Sequence, residues 1–309
     1  MRTPVLLALT VAAAALPAAA QTNPLWREQK VTNYLPHMTW PEVRDLLTRT
    51  DMVIIPVASL EQHGHQLPIG TDYLNGLERA KLVAQRTAVL VAPILLPGQS
   101  PYHMEFAGTI TISPTTMQQV YFEAAQSLIR HGFRRFLLLN SHAGNQYVTR
   151  FVMDRINQET PAIAVDLGDA VAAVRQAQPP SPAPTSAGPP TWDRHGGVGE
   201  TSAGLYLMPT LVALDRSVRA TLTYPPHMTR MVPQVVAGDP VATMVFMAEG
   251  LKPRETGKGT SAAQMSTTGV WSERDPAEAT AAQGQRAAEA FVEGAVRFIE
   301  RWKELRPYP

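Results

Sequence analysis

The sequence predicts an α/β fold, a three-layer α/β/α sandwich with a mostly parallel central sheet. Three observations carry this reading. Runs that are apolar throughout recur at Met52–Ala58, Phe136–Leu139 and Ala162–Val165, as expected of strands buried on both faces. Stretches with apolar residues at helical spacing separate them. Strands alternating with helices of that length make neighbouring strands parallel and cover both faces of the sheet.

In chain order, Thr39 can cap a helix from Trp40 to Arg49, in which Val43, Leu46 and Leu47 share a face. After the Met52–Ala58 strand come a helix from about Tyr73 to Arg86 and a strand at Val89–Ala92. Met117–Arg130 is amphipathic and stops at Gly132, a good C-cap. The Phe136–Leu139 strand leads to a helix at Gln146–Glu159, which Asn145 can cap, and then to the Ala162–Val165 strand. Gln178 to Pro190 reads QPPSPAPTSAGPP and is neither helix nor central strand. We read it as a long surface loop, either a lid or a solvated excursion. An amphipathic helix from about Pro276 to Leu305 closes the chain against the sheet. No internal repeat is present, and residues 21–309 read as a single domain.

Met1 to Ala20 has the pattern of a secretory signal peptide. Arg2 supplies the positive start, Val5–Leu16 the apolar stretch, and Ala18-Ala19-Ala20 the small-residue cleavage pattern. The expectation is an exported protein, periplasmic or secreted, with no stable membrane association after cleavage. An uncleaved anchor is the alternative, and the apolar run is short for it. The chain has no cysteine, which excludes a lipoprotein anchor and any disulfide, so the core must supply stability. The formal net charge is +1 with no basic stripe, which gives no support for nucleic acid or an anionic membrane as partner.

The chemistry gathers where strands end. Glu61 and His63 follow the Val53 strand two residues apart, so extended backbone points both the same way. Asp72 comes after a loop punctuated by Pro68 and Gly70. His142 follows the Phe136 strand within Asn-Ser-His-Ala-Gly-Asn, and His195 and Glu200 bracket three glycines. In open α/β sheets ligands bind beyond the carboxyl ends of strands, which places these segments on one edge. Carboxylates and imidazoles without thiolate suit one or two borderline divalent cations. Each residue also has a plain reading. A lone Glu-x-His is commonly a surface pair, Asp72 could cap the helix at Tyr73, His142 could be a satisfied core histidine, and Glu200 could cap the next helix. As a ligand, Asp72 could bridge two cations. A buried strand ending in unpartnered Glu and His would leave costly desolvated groups, and metal ligation removes that cost. Of the other histidines, His131 closes a helix, His37 and His227 sit in proline-adjacent loops, and His65 can point outward. His103 is a candidate to face the substrate.

Assembled, these segments resemble the creatininase family. The resemblance rests on Glu61-Gln62-His63-Gly64, Thr71-Asp72, Asn140-Ser141-His142-Ala143-Gly144-Asn145 and His195-Gly196-Gly197-Val198-Gly199-Glu200-Thr201-Ser202. Gly108-Thr109 and Asp275-Pro276 with Ala279-Thr280 and Gly284 extend it over most of the mature chain. It implies an α/β/α protomer assembled as a ring, hexameric by analogy, with two metals acting on cyclic amides or related C–N bonds. By position, Glu61, His63, Asp72 and His142 would be ligands, with Asp72 bridging, and His195 would shuttle a proton at the substrate. The family's name-giving enzyme carries a glutamate where this chain has Gly144, so the last ligand falls to Glu200. Its aromatic clamp has one nearby counterpart here, Trp192, and His65-Gln66 stands where relatives often read Pro-His.

The expected function is therefore metal-dependent hydrolysis of an amide in a small-molecule substrate. Two divalent ions, zinc first and manganese or iron next, would activate water, with His195 and Glu200 at the catalytic end. Two alternatives stand beside it. One is an exported metal- or small-molecule-binding protein without catalysis, to which a proton donor such as His195 is of no use. The other is a different two-metal hydrolase such as a phosphoesterase, which calls for basic residues near the metals, where only Arg194 adjoins the motifs.

Overall fold

The computed structural model describes residues 23, 27–95, 97–177 and 192–308. The expected signal peptide and the proline-rich stretch from Gln178 to Pro190 lie outside them. The chain divides into Met1–Lys30 and Val31–Pro309, and the second unit carries every described helix and strand.

The first half of that unit is a regular alternation: α1 (Trp40–Leu46), β1 (Met52–Val57), α2 (Thr71–Thr87), β2 (Leu90–Val91), α3 (Pro114–His131), β3 (Arg135–Asn140), α4 (Gln146–Glu159), β4 (Ile163–Asp166) and α5 (Leu167–Gln176). The strands form one parallel sheet in the order β2-β1-β3-β4. The second half runs β5 (Asp193–His195), α6 (Val198–Leu207), α7 (Pro226–Thr229), α8 (Val232–Val236), α9 (Pro240–Glu249), α10 (Ala262–Met265), β6 (Trp271–Ser272) and α11 (Ala281–Leu305). β5 and β6 pair antiparallel, with His195 opposite Trp271. Among the described residues no helix is long and apolar enough to cross a membrane.

Side-chain alternation along the strands builds the sandwich. Val53, Ile55 and Val57 of β1, with Phe136 and Leu138 of β3, pack on α3 and α4 through Met117, Tyr121, Val148 and Val152. Met52, Ile54, Leu137 and Leu139 point the other way, onto Leu77 and Val83 of α2, Val171 of α5 and Ile299 of α11. Both faces of β1 and β3 are therefore covered, which is why these strands read as unbroken apolar runs. Trp192, Met228, Phe246, Met265 and Trp271 make a separate small core that anchors β5 and β6.

Several boundaries differ from the sequence reading, each for a local reason. α1 ends at Leu46, three residues early. α2 starts at Thr71, so Asp72 is inside the helix; the residue before the helix is Gly70, and no side chain caps it. The closing helix is interrupted. A short turn at Pro276–Glu278 ends before Thr280, whose hydroxyl accepts the Gln283 N–H at 3.2 Å while its own N–H donates to Ser202 Oγ at 3.1 Å. α5, the β5–β6 pair and the short helices between α6 and β6 were not anticipated, because elements this brief show too few periods to read.

α11 crosses α6 at Gly284, where an added Cβ would sit 1.8 Å from the Ser202 carbonyl oxygen. Gly284→Ala gains up to about 1 kcal/mol of helix propensity. The backbone clash outweighs this, because overpacked sites cost about 1–3 kcal/mol and backbone yields less than a side chain. A lower urea midpoint with an unchanged slope is expected; an unchanged or higher midpoint would contradict the packing.

Candidate metal centre

The topology opens a crevice between β1 and β3. The chain leaves β1 for α2 on one face of the sheet and leaves β3 for α4 on the other, the arrangement that forms a ligand site in open α/β sheets. Val57 is in register with Asn140, and Ser141 N–H donates to Val57 O at 3.0 Å, so the two strand exits stay side by side. Glu61 and His63 arrive from the segment after β1, Asp72 from the first turn of α2, and His142 from just beyond β3. His195 ends β5 and Glu200 lies in the first turn of α6. All are buried except Glu200, which is partly exposed.

Their donor atoms converge as interlocking triads. Glu61, Asp72 and His142 form one, and His63, Asp72 and Glu200 another, with ligand atoms in each within 4.8 Å of one another. Asp72 serves both: Oδ2 is 3.0 Å from His142 Nδ1 and Oδ1 is 3.3 Å from His63 Nε2. Glu200 Oε2 lies 3.6 Å from His63 Nε2, and Glu61 Oε1 lies 3.3 Å from His142 Nδ1. A third triad joins Glu61, His63 and His195. Either of the first two could hold a divalent cation, and His63 Nε2 and Asp72 Oδ2 are buried with only these acid–imidazole contacts as partners.

Surrounding carbonyls fix the imidazole tautomers, as around metal ligands generally. His63 Nδ1 donates to the Glu61 carbonyl at 3.1 Å, which leaves Nε2 facing Asp72 and Glu200. His142 Nε2 donates to Gln99 O at 3.1 Å, leaving Nδ1 between the two carboxylates. His195 Nε2 is 2.7 Å from Gln62 O and must donate to it, so its Nδ1 is the basic nitrogen, 3.6 Å from Glu61 Oε1. The Gln62 amide oxygen accepts Gly64 N–H at 2.9 Å, and its nitrogen donates to His103 Nδ1 at 2.9 Å. His103 therefore carries its proton on Nε2 and stacks on His195 at 4.4 Å.

Electrostatics describe a cluster organised around positive charge. Burial would raise the Glu61 carboxyl, but His142, His103 and His195 outweigh it and hold it well below its usual range. Asp72 is likewise lowered, burial being overcome by His63 and His142. Burial disfavours charge on His63, yet Asp72 and Glu200 raise it to about 10, and Glu61 raises His142 well above its ordinary value in the same way. Burial and the neighbouring imidazoles push His195 well down; burial takes His103 to about 4. Burial, with Asp72 adding to it against His63, lifts Glu200 to about 7. Without metal, two imidazolium protons supply the charge the carboxylates demand; a divalent ion fits the same donor set.

A cavity of about 200 Å³ opens on this cluster, with Tyr102, His103, Met247, Leu251 and Trp271 in its wall. His103 thus faces the space a substrate would take. Trp192 does not: it is buried edge-on against Trp271 and Phe246, and strand pairing brings Trp271 to His195 instead. Asn145 does not cap α4. Its Oδ1 accepts Gln99 N–H at 3.0 Å and its Nδ2 donates to Ala58 O at 2.9 Å, tying two site loops together. A Cβ at Gly144 would lie 2.3 Å from the Tyr102 hydroxyl, which leaves no room there for a glutamate. Glu200 does not cap α6: its Oε2 accepts Gly196 N–H at 2.6 Å, ahead of the helix, while Asp193 takes the N–H groups of Val198 and Gly199. Sequence reasoning missed Tyr102, Gln62 and Arg79. Two left a signal: Gln62 lies within the Glu61-Gln62-His63-Gly64 segment, and Arg79 shares helical spacing with Asp72.

Comparison with known proteins agrees with this geometry. The family profile described as creatinine amidohydrolase matches residues 36–299. Creatinine amidohydrolase of Pseudomonas putida is 32% identical over 216 residues, 63% of this chain and 79% of that protein. The mycofactocin precursor peptide peptidase of Mycolicibacterium smegmatis is 30% identical over 271 residues, 85% of this chain and 90% of that one. The crystal structure of creatininase superposes with a TM-score of 0.64 at 25% identity, over 90% of this chain and 99% of its own. A manganese form of creatininase superposes equally, with a TM-score of 0.64. On the family profile, the shared fold and the convergent acid–imidazole cluster, this chain belongs to the creatininase family of metal-dependent amidohydrolases.

Proposed function

We propose that the chain hydrolyses an amide or related C–N bond of a small substrate, a cyclic amide or formamide, with two divalent ions. Glu61, Asp72 and His142 would hold one, and His63, Asp72 and Glu200 the other. The observation that carries this is Asp72, whose two oxygens face different imidazoles in different triads. Zinc is the first candidate and manganese or iron the next, in keeping with the nitrogen and oxygen donors. Creatininase itself has been solved in a manganese form and, as a variant, in a Zn–Zn form. When bound, such ions lower the pKa of water towards neutrality and polarise a carbonyl.

The remaining chemistry belongs to the chain. His195, neutral and held by the Gln62 carbonyl, presents Nδ1 as a base that can take a proton from the nucleophile and return it to the leaving nitrogen. His103 lines the cavity and carries its proton on Nε2, which lies buried 3.6 Å from Glu61 Oε1. Met247, Leu251 and Trp271 exclude water from one wall. A second reading, cleavage of a short peptide, is favoured by the peptide peptidase relative, which matches more of this chain than creatinine amidohydrolase does. The signal-peptide pattern of residues 1–20 supports export, and family analogy alone supports a homo-oligomer, a hexamer.

His195→Ala is expected to keep its metal by elemental analysis and to lose about 10²–10⁴-fold in turnover on whichever lactam, cyclic urea, formamide or short peptide the protein cleaves. Unaltered turnover would remove the proton-shuttle role.

The pH dependence has a definite sign. His63 and Glu200 have pKa values of about 10 and about 7 against ordinary values of 6.5 and 4.5. A raised group stabilises the fold fully below its ordinary pKa and loses that contribution as pH rises through the folded one. Metal binding expels the same protons. From about pH 6 to about pH 9 the chelator-treated protein should lose melting temperature, while the advantage of zinc-loaded over metal-free protein widens. A gap that narrows with pH would contradict the assignment.

A further inference from the structure

A second cavity, of about 390 Å³, adjoins the acid–imidazole cluster and shares Ser141, His142, Arg194 and Glu200 with it. Its far wall carries Asn75, Arg79 and Asn140. Asp72, Asn75 and Arg79 are spaced i, i+3, i+7 on α2 and therefore share a helix face. The helical rise separates the Cα atoms of Asp72 and Arg79 by about 10 Å. Helical side chains lean towards the N-terminus, so Arg79 reaches back to the Asp72 end.

This wall leaves polar atoms unpaired. Arg79 Nε, a donor, and Asn75 Oδ1, an acceptor, are buried with no hydrogen-bond partner in the protein. Arg79 packs over the Phe291 ring at 5.6 Å and Arg194 over Trp192 at 5.0 Å, but neither has an ion pair among the described residues. The nearby acids are engaged elsewhere. Asp193 accepts the N–H groups of Val198 and Gly199 at 3.1 and 3.0 Å, and Glu200 accepts Gly196 N–H. Burial, offset in part by Glu200, and the nearby Arg175 hold the Arg79 guanidinium below its ordinary value, as expected of a cation only partly compensated. Arg79 is partly buried and Arg194 exposed, so the cost of an unpaired guanidinium falls on Arg79, and an anionic ligand removes it.

We propose that this cavity is a carboxylate-binding subsite: the substrate is an amide that also carries a carboxylate, gripped by Arg79 and Arg194 while the scissile bond lies at Asp72. This rests on the hydrolase reading and narrows it. A carboxylate suits the wall better than a phosphate for two reasons. Its planar pair of oxygens matches the guanidinium fork. Asp193 and Glu200 also line the cavity and would repel a dianion more strongly.

Calorimetric titration of metal-loaded protein with N-acetylglycine, its neutral isostere N-acetylglycinamide and inorganic phosphate tests this directly. The carboxylate is expected to bind about tenfold or more tightly than the carboxamide, from one charge-assisted pair. Arg79→Gln should erase most of that preference with metal content unchanged, and Arg194→Gln should reduce it; phosphate should not displace N-acetylglycine. Equal binding of the two acetyl compounds, no saturable binding of either, or tighter binding of phosphate would overturn the subsite. So would a preference that survives Arg79→Gln, because the carboxylate would then sit on the metals. The wild-type comparison and Arg194→Gln stand even if Arg79→Gln does not fold. The hydrolase reading fails on different results, an absence of bound metal or of any amide turnover, whatever the carboxylate preference.

Discussion

Crowded negative charge in a dry crevice is the constraint on which the rest of the structure depends. Glu61 and Asp72 are buried, and Glu200 reaches the same few ångströms from α6. No lysine or arginine pairs with Glu61, Asp72 or Glu200 among the described residues; their ion-pair partners are imidazoles. Removing carboxylates from water costs several kcal/mol each, and weak pairing does not repay it. The cluster must therefore recruit protons or metal. That single requirement links the raised imidazoles, the depressed carboxyls and the catalytic reading.

The fold supplies the rigidity that such a requirement needs. β1 and β3 are covered on both faces and hold their exits in register, so the loops beyond them start from fixed points. Asn145, Gln62 and the Gln99 carbonyl then tie those loops to one another. Far from the site, Arg135 Nε bonds Asp51 Oδ1 at 2.6 Å and fixes the opposite end of the same strands. α6, which carries Glu200, is clamped by α11 through the Gly284 contact. The candidate ligands from four separate segments converge because each segment starts from a packed strand or helix end.

Much of this was legible in the amino-acid order, and the remainder was hidden for physical reasons. Unbroken apolar runs revealed β1 and β3 because both faces of those strands are buried, whereas β2, two residues long, left a weaker trace. Glu61, His63, Asp72, His142, His195 and Glu200 could be singled out because acids and imidazoles beside buried strand ends have few structural uses. Trp192 was only the nearest candidate for an aromatic clamp, and sequence proximity to His195 says nothing about which face of a two-stranded ribbon a ring takes. Asn145 looked like a helix cap because capping is local, while its real partners lie 46 and 87 residues away. Arg79 escaped notice for the opposite reason: its spacing from Asp72 was visible, but only the fold reveals a cavity beside it.

The central claim is that Asp72 stands between two metal ions. Anomalous X-ray scattering from crystals grown with manganese or zinc measures this most directly. The account predicts two peaks about 3.5–4 Å apart, one on each side of the Asp72 carboxylate. A single peak, or two peaks that Asp72 does not touch, would contradict it.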